Sequence, residues 1–362
     1  MTDRIFNFNA GPAVLPLDIL KQAQAELLNY RDTGMSILEI SHRSKPYEVI
    51  HQEAEADMKA LLGLGDNYRV LFVQGGGSLQ FAMVPMNYLP AGRIADYILT
   101  GSWSEKALQE AKLLGQTHVA ATTAGEGYRR IPSLQEIKLS DKPAYVHITS
   151  NNTIYGTQWR EFPNFGDIPL MADMSSDMLS RPFDAKKFAL IYAGAQKNLG
   201  PAGVTIVIIR KDLLDECPPT IPTMLRYDTY AKNDSMYNTP PCFSVYIVHL
   251  VLQWLRKNGG LAAMEKHNQE KAAFIYRQID QSGGFYRGHA EPDSRSLMNI
   301  TFRLPNEELE GAFVKEAVQA GLGGLKGYRT VGGIRASVYN AMSKEGCLAL
   351  AAFMDEFRKK NS

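Results

Sequence analysis

Short apolar runs alternate, over the first two thirds of the chain, with segments whose apolar positions recur every three or four residues. Runs of four to eight apolar residues bounded by turn formers read as buried strands, and the longer spacing reads as helix. Strands are accordingly expected at 69–73, 94–99, 118–121, 144–148, 169–173, 188–193 and 204–209. Helices are expected where Leu20, Ala23, Leu27 and Tyr30 recur between Pro16 and Gly34, with Pro16 as the first helical residue. Tyr47, Ile50, Ala54, Met58 and Leu61 mark another, and 103–114, 242–257 and 261–279 three more. Several strands are apolar throughout, as in a mostly parallel α/β sheet covered by helices on both faces. From 217 to 241 the pattern breaks into a stretch rich in Pro, Asn, Asp and Tyr, which is expected to be a long loop. Beyond the NGG at 258–260, strands at 297–303 and 333–338 mix with helices at 307–320 and 344–359, the order of a smaller α+β unit. The expected organisation is an arm over 1–15, a large domain over 16–257 and a small C-terminal domain over 258–362.

Composition narrows the partners. With 39 basic and 38 acidic side chains among 362 residues, the formal net charge of +1 supplies no field for nucleic acid or an anionic membrane, and neither is an expected partner. The start, MTDRIFNFNAGP, lacks a basic stretch followed by an apolar run, and the apolar stretch 245–255 is interrupted by His249 and Gln253. No signal peptide or membrane span is expected, and the cytoplasm is the expected location. Cys217, Cys242 and Cys347 lie far apart without metal-ligand spacing, so they read as thiols in a reducing compartment, and no metal site is expected.

Candidate chemistry gathers at strand ends, where open α/β sheets collect their ligands. The strand at 69–73 runs into QGGGSLQ, whose glycines and helix-start N–H groups suit an anion; an unliganded turn fits equally well. In IYAGAQKNLGPAG, Lys197 falls just past a buried strand and is a candidate amine for a Schiff base, with a solvated surface lysine as the alternative. Asp173 ends the run PLMAD 24 residues earlier, where a carboxylate would keep a pyridine nitrogen protonated. Trp103 offers a flat face for such a ring, Thr153 a hydroxyl, and Gly77 and Ser78 backbone donors for a phosphate. Each also fits a structural role: Trp103 in a core, Thr153 in a turn, Asp173 as a helix cap. His42, Arg43 and Lys45 cluster before Pro46, either as anion donors or as a solvated loop. A non-catalytic phosphate-binding module built on the GGGSLQ turn would leave Asp173 and Lys197 without roles.

The motifs FNFNAGPAVLP, ISHRSK, QGGGSLQFAMVPMN, ADMSSDMLSRP, YAGAQKNLGPAG, SMYNTPP and VGGIRASVYNAM together resemble the phosphoserine aminotransferase family, whose members are class V, fold type I pyridoxal phosphate enzymes. The resemblance spans essentially the whole chain. It implies a fold type I large domain with a mostly parallel mixed sheet, pyridoxal 5'-phosphate as cofactor, Lys197 as Schiff-base lysine, Asp173 as partner of the pyridine nitrogen and Trp103 as stacking residue. It further implies Thr153 at the ring oxygen and Gly77, Ser78 and Gln196 at the phosphate end. Asn238 and Thr239 would reach the phosphate of the neighbouring subunit's cofactor, in a homodimer with shared active sites. The implied substrates are glutamate and 3-phosphohydroxypyruvate, in serine biosynthesis, and often 4-phosphohydroxythreonine in pyridoxine biosynthesis.

A phosphorylated oxoacid needs two separate cationic anchors. By the same resemblance these are Arg335 for the carboxylate, and His42, Arg43 and Arg329 for the phosphate. Two departures stand out: GYR, with Tyr328, where the family commonly has GHR, and Ser78 where some members carry arginine. The alternative is a fold type I transaminase of an unphosphorylated oxoacid such as glyoxylate. Cysteine desulfurase chemistry fits less well, because it needs a thiol on a mobile loop and Cys347 lies in a helical pattern.

Overall fold

The computed structural model describes residues 4–329 and 331–362. The chain opens with β1 (Phe6–Asn7), α1 (Leu17–Glu26) and α2 (Lys45–Leu62), followed by β2 (Tyr68–Val73), α3 (Gly76–Tyr88), β3 (Ile94–Leu99), α4 (Ser102–Lys112), β4 (Gln116–Thr122) and β5 (Pro143–Thr149). A small hairpin, β6 (Asn151–Asn152) with β7 (Thr157–Gln158), precedes β8 (Leu170–Asp173), β9 (Leu190–Gly194) and β10 (Thr205–Arg210). The seven long strands form one sheet in the order β2-β10-β9-β8-β5-β3-β4. Only β10 runs against its neighbours, which makes the sheet mostly parallel and mixed.

Alternation of side chains along each strand divides the sheet between two cores. Val146, Ile148, Ile206 and Ile208 face α2 and α6 (Cys242–Lys257), where Tyr47, Ile50, Ala54 and Met58 are buried. Tyr97, Tyr145, Tyr192 and Val207 share the opposite core with Phe81 and Met83 of α3 and with Ala107 and Leu108 of α4. The strand expectations hold to within a few residues at each end. One loop expectation and one helix expectation need correction. The stretch 217–241 contains a short helix, α5 (Tyr227–Lys232), whose Tyr227 and Tyr230 are buried. Pro16 precedes α1 rather than opening it, and α1 stops at Glu26: Leu28 is 84% exposed and Arg31 adopts φ 44°, so the apolar spacing there continues without a helix.

After α6, α7 (Gly260–Asp280) crosses from the first core, through Leu261 and Met264, to a third core through Ala272, Ile275 and Ile279. Around that third core stand β11 (Arg287–Gly288), β12 (Asn299–Arg303) and β14 (Ile334–Ser337) as one antiparallel sheet, with α8 (Glu307–Gln319) and α9 (Lys344–Asn361). Between α8 and β14 lies β13 (Leu322–Gly323), which pairs in parallel with β1, so the N-terminal residues are tied to the C-terminal third of the chain.

Candidate active site

Five loops and strand ends converge on one cavity of about 230 Å³ at the carboxyl edge of the main sheet. β8 delivers Asp173, the turn after β9 delivers Gln196 and Lys197, the β6–β7 hairpin delivers Thr153, the first turn of α4 delivers Trp103, and the β2–α3 turn delivers Gly77 and Ser78. Arg335 of β14 and Tyr328 close the cavity from the C-terminal third of the chain.

Local sequence explains these placements. Gly75 and Gly76, at φ 91° and 66°, take left-handed conformations that turn β2 directly into α3. The amides of Gly76, Gly77 and Ser78 precede the first bond of α3, which runs from Leu79 N–H to Gly75 C=O, so they remain free to meet an anion. At the start of α4, Gly101 lies so close to the hairpin that an added Cβ would stand 2.8 Å from Asn152 Oδ1. Ser104 Oγ accepts the Thr100 and Gly101 amides and fixes the turn that presents Trp103. Arg335 is held from two sides: it pairs across β12 with Thr301, whose hydroxyl donates to the Tyr155 carbonyl of the hairpin at 2.8 Å, and its own amide donates to Leu325 C=O.

Charge in the cavity is concentrated in three groups. Lys197 Nζ donates to Thr153 Oγ1 at 2.9 Å and stands 5.6 Å from the Trp103 ring centre. Burial pushes its pKa down to about 8; Asp173 opposes that shift and Arg335 reinforces it. Asp173, 6% exposed, accepts the Ser175 amide on Oδ1 at 2.9 Å. Arg335 is half-buried, and burial likewise lowers its pKa; its Nε has no hydrogen-bond partner among the described residues.

These features fit pyridoxal phosphate. A poorly solvated amine stands within reach of a hydroxyl and a carboxylate, a half-buried indole forms one wall, and free helix-start amides lie at one end. The unpartnered Trp103 Nε1 and Arg335 Nε are buried polar atoms in a cavity wall, the kind that a bound ligand satisfies.

Of the residues expected from sequence, Gly77, Ser78, Trp103, Thr153, Asp173, Gln196, Lys197 and Arg335 line the cavity together. His42, Arg43, Arg329, Asn238 and Thr239 do not. Arg43, Arg329, Asn238 and Thr239 are exposed, and His42 is half-buried with an unpartnered Nε2. The sequence reading left out Ser175, Phe81, Ala10 and Gly11. Ser175 had a signal, since it follows Asp173 by two residues in MSSDM and its hydroxyl accepts the Gly194 amide. Gly11 had one in the NAGP motif: it has φ 141°, and an added Cβ would come within 3.2 Å of Lys197 Cγ.

The aminotransferase class-V family model matches residues 5–350. A phosphoserine aminotransferase of Niallia circulans is 59% identical over 359 residues, 99% of each chain. The solved phosphoserine aminotransferase of Bacillus circulans subsp. alkalophilus superposes with a TM-score of 0.98 at 58% identity, covering 100% of both chains. A solved structure recording radiation damage of the Schiff base in phosphoserine aminotransferase superposes at 0.97 with 55% identity, over 99% of this chain and 100% of that one.

Proposed function

The chain belongs to the class-V aminotransferases and is a pyridoxal-phosphate-dependent transaminase, and from that premise we propose that it transfers the amino group of glutamate to 3-phosphohydroxypyruvate, giving O-phosphoserine and 2-oxoglutarate. The observation that carries this reading is the placement of the Lys197 amine in one cavity with Asp173 and Arg335. The full-length relatives named phosphoserine aminotransferase supply the substrate. On this reading the protein acts in serine biosynthesis, with pyridoxine biosynthesis as a second outlet, and works in the cytoplasm. Among the described residues no helix is long and apolar enough to cross a membrane.

When bound, pyridoxal phosphate supplies an electron sink for the charge left on the substrate's α-carbon. The chain's own residues do the rest. Arg335 holds the substrate carboxylate and so fixes which bond to the α-carbon stands ready to break. Lys197 Nζ takes the α-proton, holds it and returns it; a pKa of about 8 leaves a useful fraction of the amine unprotonated near neutral pH. Asp173, with Oδ1 pinned by the Ser175 amide, would sit at the ring nitrogen. Trp103 would stack on the ring, Thr153 would donate to its oxygen, and Gly77, Ser78 and Gln196 would hold the phosphate end.

A homodimer with shared sites belongs to the same reading. Arg43, Asn238 and Thr239 are exposed outside their own chain's cavity, where a second copy can use them. The proposed division into an arm (1–15), a large domain (16–257) and a small domain (258–362) draws support from a third core built mainly from residues 272–357, which Phe8 of the arm joins, while Leu261 and Met264 remain with the first core.

One observation favours the alternative of an unphosphorylated oxoacid such as glyoxylate: the cations lining the chain's own cavity are Lys197 and Arg335 alone among the described residues. Turnover of phosphohydroxypyruvate against hydroxypyruvate, with glutamate as donor, decides. A loss of kcat/KM below about tenfold on removing the phosphate would reject the phosphorylated substrate.

A further inference from the structure

Beneath Asp173 the main sheet carries a polar pair that the transamination chemistry above leaves unused. Tyr192 on β9 and His147 on β5 flank β8 from either side, and both lie on the face of the sheet that carries Asp173. Asp173 is in register with Tyr192, and Met171 with His147. Across the intervening strand the Tyr192 hydroxyl and His147 Nε2 meet at 2.8 Å. Both residues are essentially without solvent contact, at 0% and 1% exposure. The Tyr192 ring also reaches the cavity wall: its edge lies 4.0 Å from where a Cβ on Gly77 would stand, and it meets Phe81 edge-on.

Hydrogen-bond accounting sets the direction of this contact. Tyr192 O–H has no other partner among the described residues, and His147 Nδ1 has none. If the imidazole donated, the phenol hydrogen and the Nδ1 lone pair would both be buried and unmet; if the phenol donates, only Nδ1–H is. Protonation states agree with the second arrangement. Burial pushes the His147 pKa down to about 3, so the ring is neutral and can accept. Burial, and then the charge of Asp173, hold the Tyr192 phenol protonated, well above its ordinary range. The phenol proton thus points at His147 and away from Asp173. The carboxylate keeps one hydrogen bond from the chain, on Oδ1 from the Ser175 amide, and Oδ2 has none among the described residues.

We propose that the Tyr192–His147 pair is a positioning device for the known reaction, in which His147 accepts the hydrogen bond of the Tyr192 hydroxyl so that Asp173 retains an uncompensated carboxylate oxygen for the protonated ring nitrogen of the cofactor. A carboxylate that spends its lone pairs on neighbouring donors is a weaker acceptor, and the ring proton that makes the cofactor an electron sink is then held less firmly. Titratable groups around this assembly are Asp173 on β8, Tyr97 on β3, Tyr145 on β5 and Tyr227 on α5, with Lys197 and Arg335 in the cavity beyond Asp173.

The inference rests on the assignment of Asp173 to the ring nitrogen, so the test carries Asp173→Asn as a reference. Tyr192→Phe keeps the ring against Gly77 and Phe81 and removes only the hydroxyl, whereas His147→Phe removes the acceptor and frees the phenol to turn toward Asp173. Each holoprotein is checked for fold by circular dichroism, and the visible band of its bound cofactor is titrated against pH. The expected result is a displacement of the titration by about half a pH unit or more in His147→Phe, in the direction of Asp173→Asn and smaller than it, while Tyr192→Phe, with no phenol proton left to turn toward Asp173, and the double variant titrate near the wild type. With that displacement kcat falls several-fold while KM for both substrates stays near the wild-type value. A merely steric role for His147 predicts that adding Tyr192→Phe does not reverse the effect of His147→Phe; that result, a His147→Phe titration like that of the wild type, or a displacement opposite to that of Asp173→Asn, overturns the proposal. If Asp173→Asn itself leaves the titration in place, the assignment of Asp173 fails and the inference falls with it.

Discussion

The amine of Lys197 donates to the hydroxyl of Thr153 across 2.9 Å, joining the turn after β9 to the tip of the β6–β7 hairpin. That contact places the amine beside the Trp103 wall and within the field of Asp173. A lysine held this way is poorly hydrated, which suits it to act as a nucleophile and then as a base.

Lys197→Ala is expected to lose about 10²- to 10⁴-fold in kcat, the usual worth of a positioned proton carrier. Wild-type protein should show an absorption band near roughly 400 nm that borohydride fixes covalently to the peptide carrying Lys197. The variant should bind the cofactor only reversibly and lose it on dialysis. A variant that retains borohydride-stable label on another lysine would contradict the assignment.

Apoprotein stability gives an independent check with a defined sign. The Lys197 pKa is lowered on folding from 10.5 to about 8, so between those values the unfolded chain binds more protons and stability rises with pH. Lys197→Met removes this dependence. The melting temperature of the apo variant should exceed that of the apo wild type at pH 7, and the gap should narrow steadily between pH 8 and about 10.5. A gap that is constant across this window would show that the amine is not desolvated in the folded state.

The parts of the site that were legible in the sequence share one origin. Asp173 and Lys197 end or follow buried strands, and an apolar run stopping at a polar residue can be read without coordinates. Arg335 and Tyr328 were not placeable by such reasoning, because they enter the cavity from the C-terminal third of the chain and only tertiary packing decides which side chain of the 325–335 segment points inward. Arg329, one residue from Tyr328, is exposed, although sequence likeness grouped it with the anchors. Helix α5 escaped for a different reason: six residues carry too few turns for periodicity to register, and it is held by buried Tyr227 and Tyr230 rather than by spacing.

Tyr328 lines the cavity, and its phenol stands where a titratable cation would strengthen anion binding. Tyr328→His is expected to lower KM for phosphohydroxypyruvate by about fivefold at pH 6, the worth of roughly 1 kcal/mol for adding charge to a hydrogen bond. The advantage should fade above about pH 7 as the imidazole loses its proton. KM for glutamate should stay unchanged, and parallel shifts for both substrates would place Tyr328 at the shared carboxylate instead.

Gly156 packs the hairpin that carries Thr153 against β12, the neighbour of the strand that carries Arg335. It has φ 73°, and an added Cβ would lie 2.7 Å from Thr301 Oγ1 and 2.8 Å from the Asn299 carbonyl. Both neighbours belong to β12, on which β14 and Arg335 are registered. Gly156→Ala is expected to cost about 2 kcal/mol of stability through backbone strain and displacement of β12. KM for both substrates should rise together, measured beside the denaturation midpoint. A stable variant with unchanged KM would show that hairpin and strand move independently.

Asn238 and Thr239 are exposed and lie outside the cavity of their own chain; the Thr239 carbonyl accepts from Gln74 Nε2, at 3.4 Å. If a second copy uses them, each active site draws residues from two chains and inactive variants can complement one another. Lys197→Ala, and the double variant Asn238→Ala with Thr239→Ala assayed at limiting cofactor, should each be severely impaired. After subunit exchange in an equal mixture, half of the dimers are hybrids holding one intact site, so activity should recover to about a quarter of the wild-type value. Sites confined to single chains would give no recovery, because every site in the mixture would then carry one or other defect.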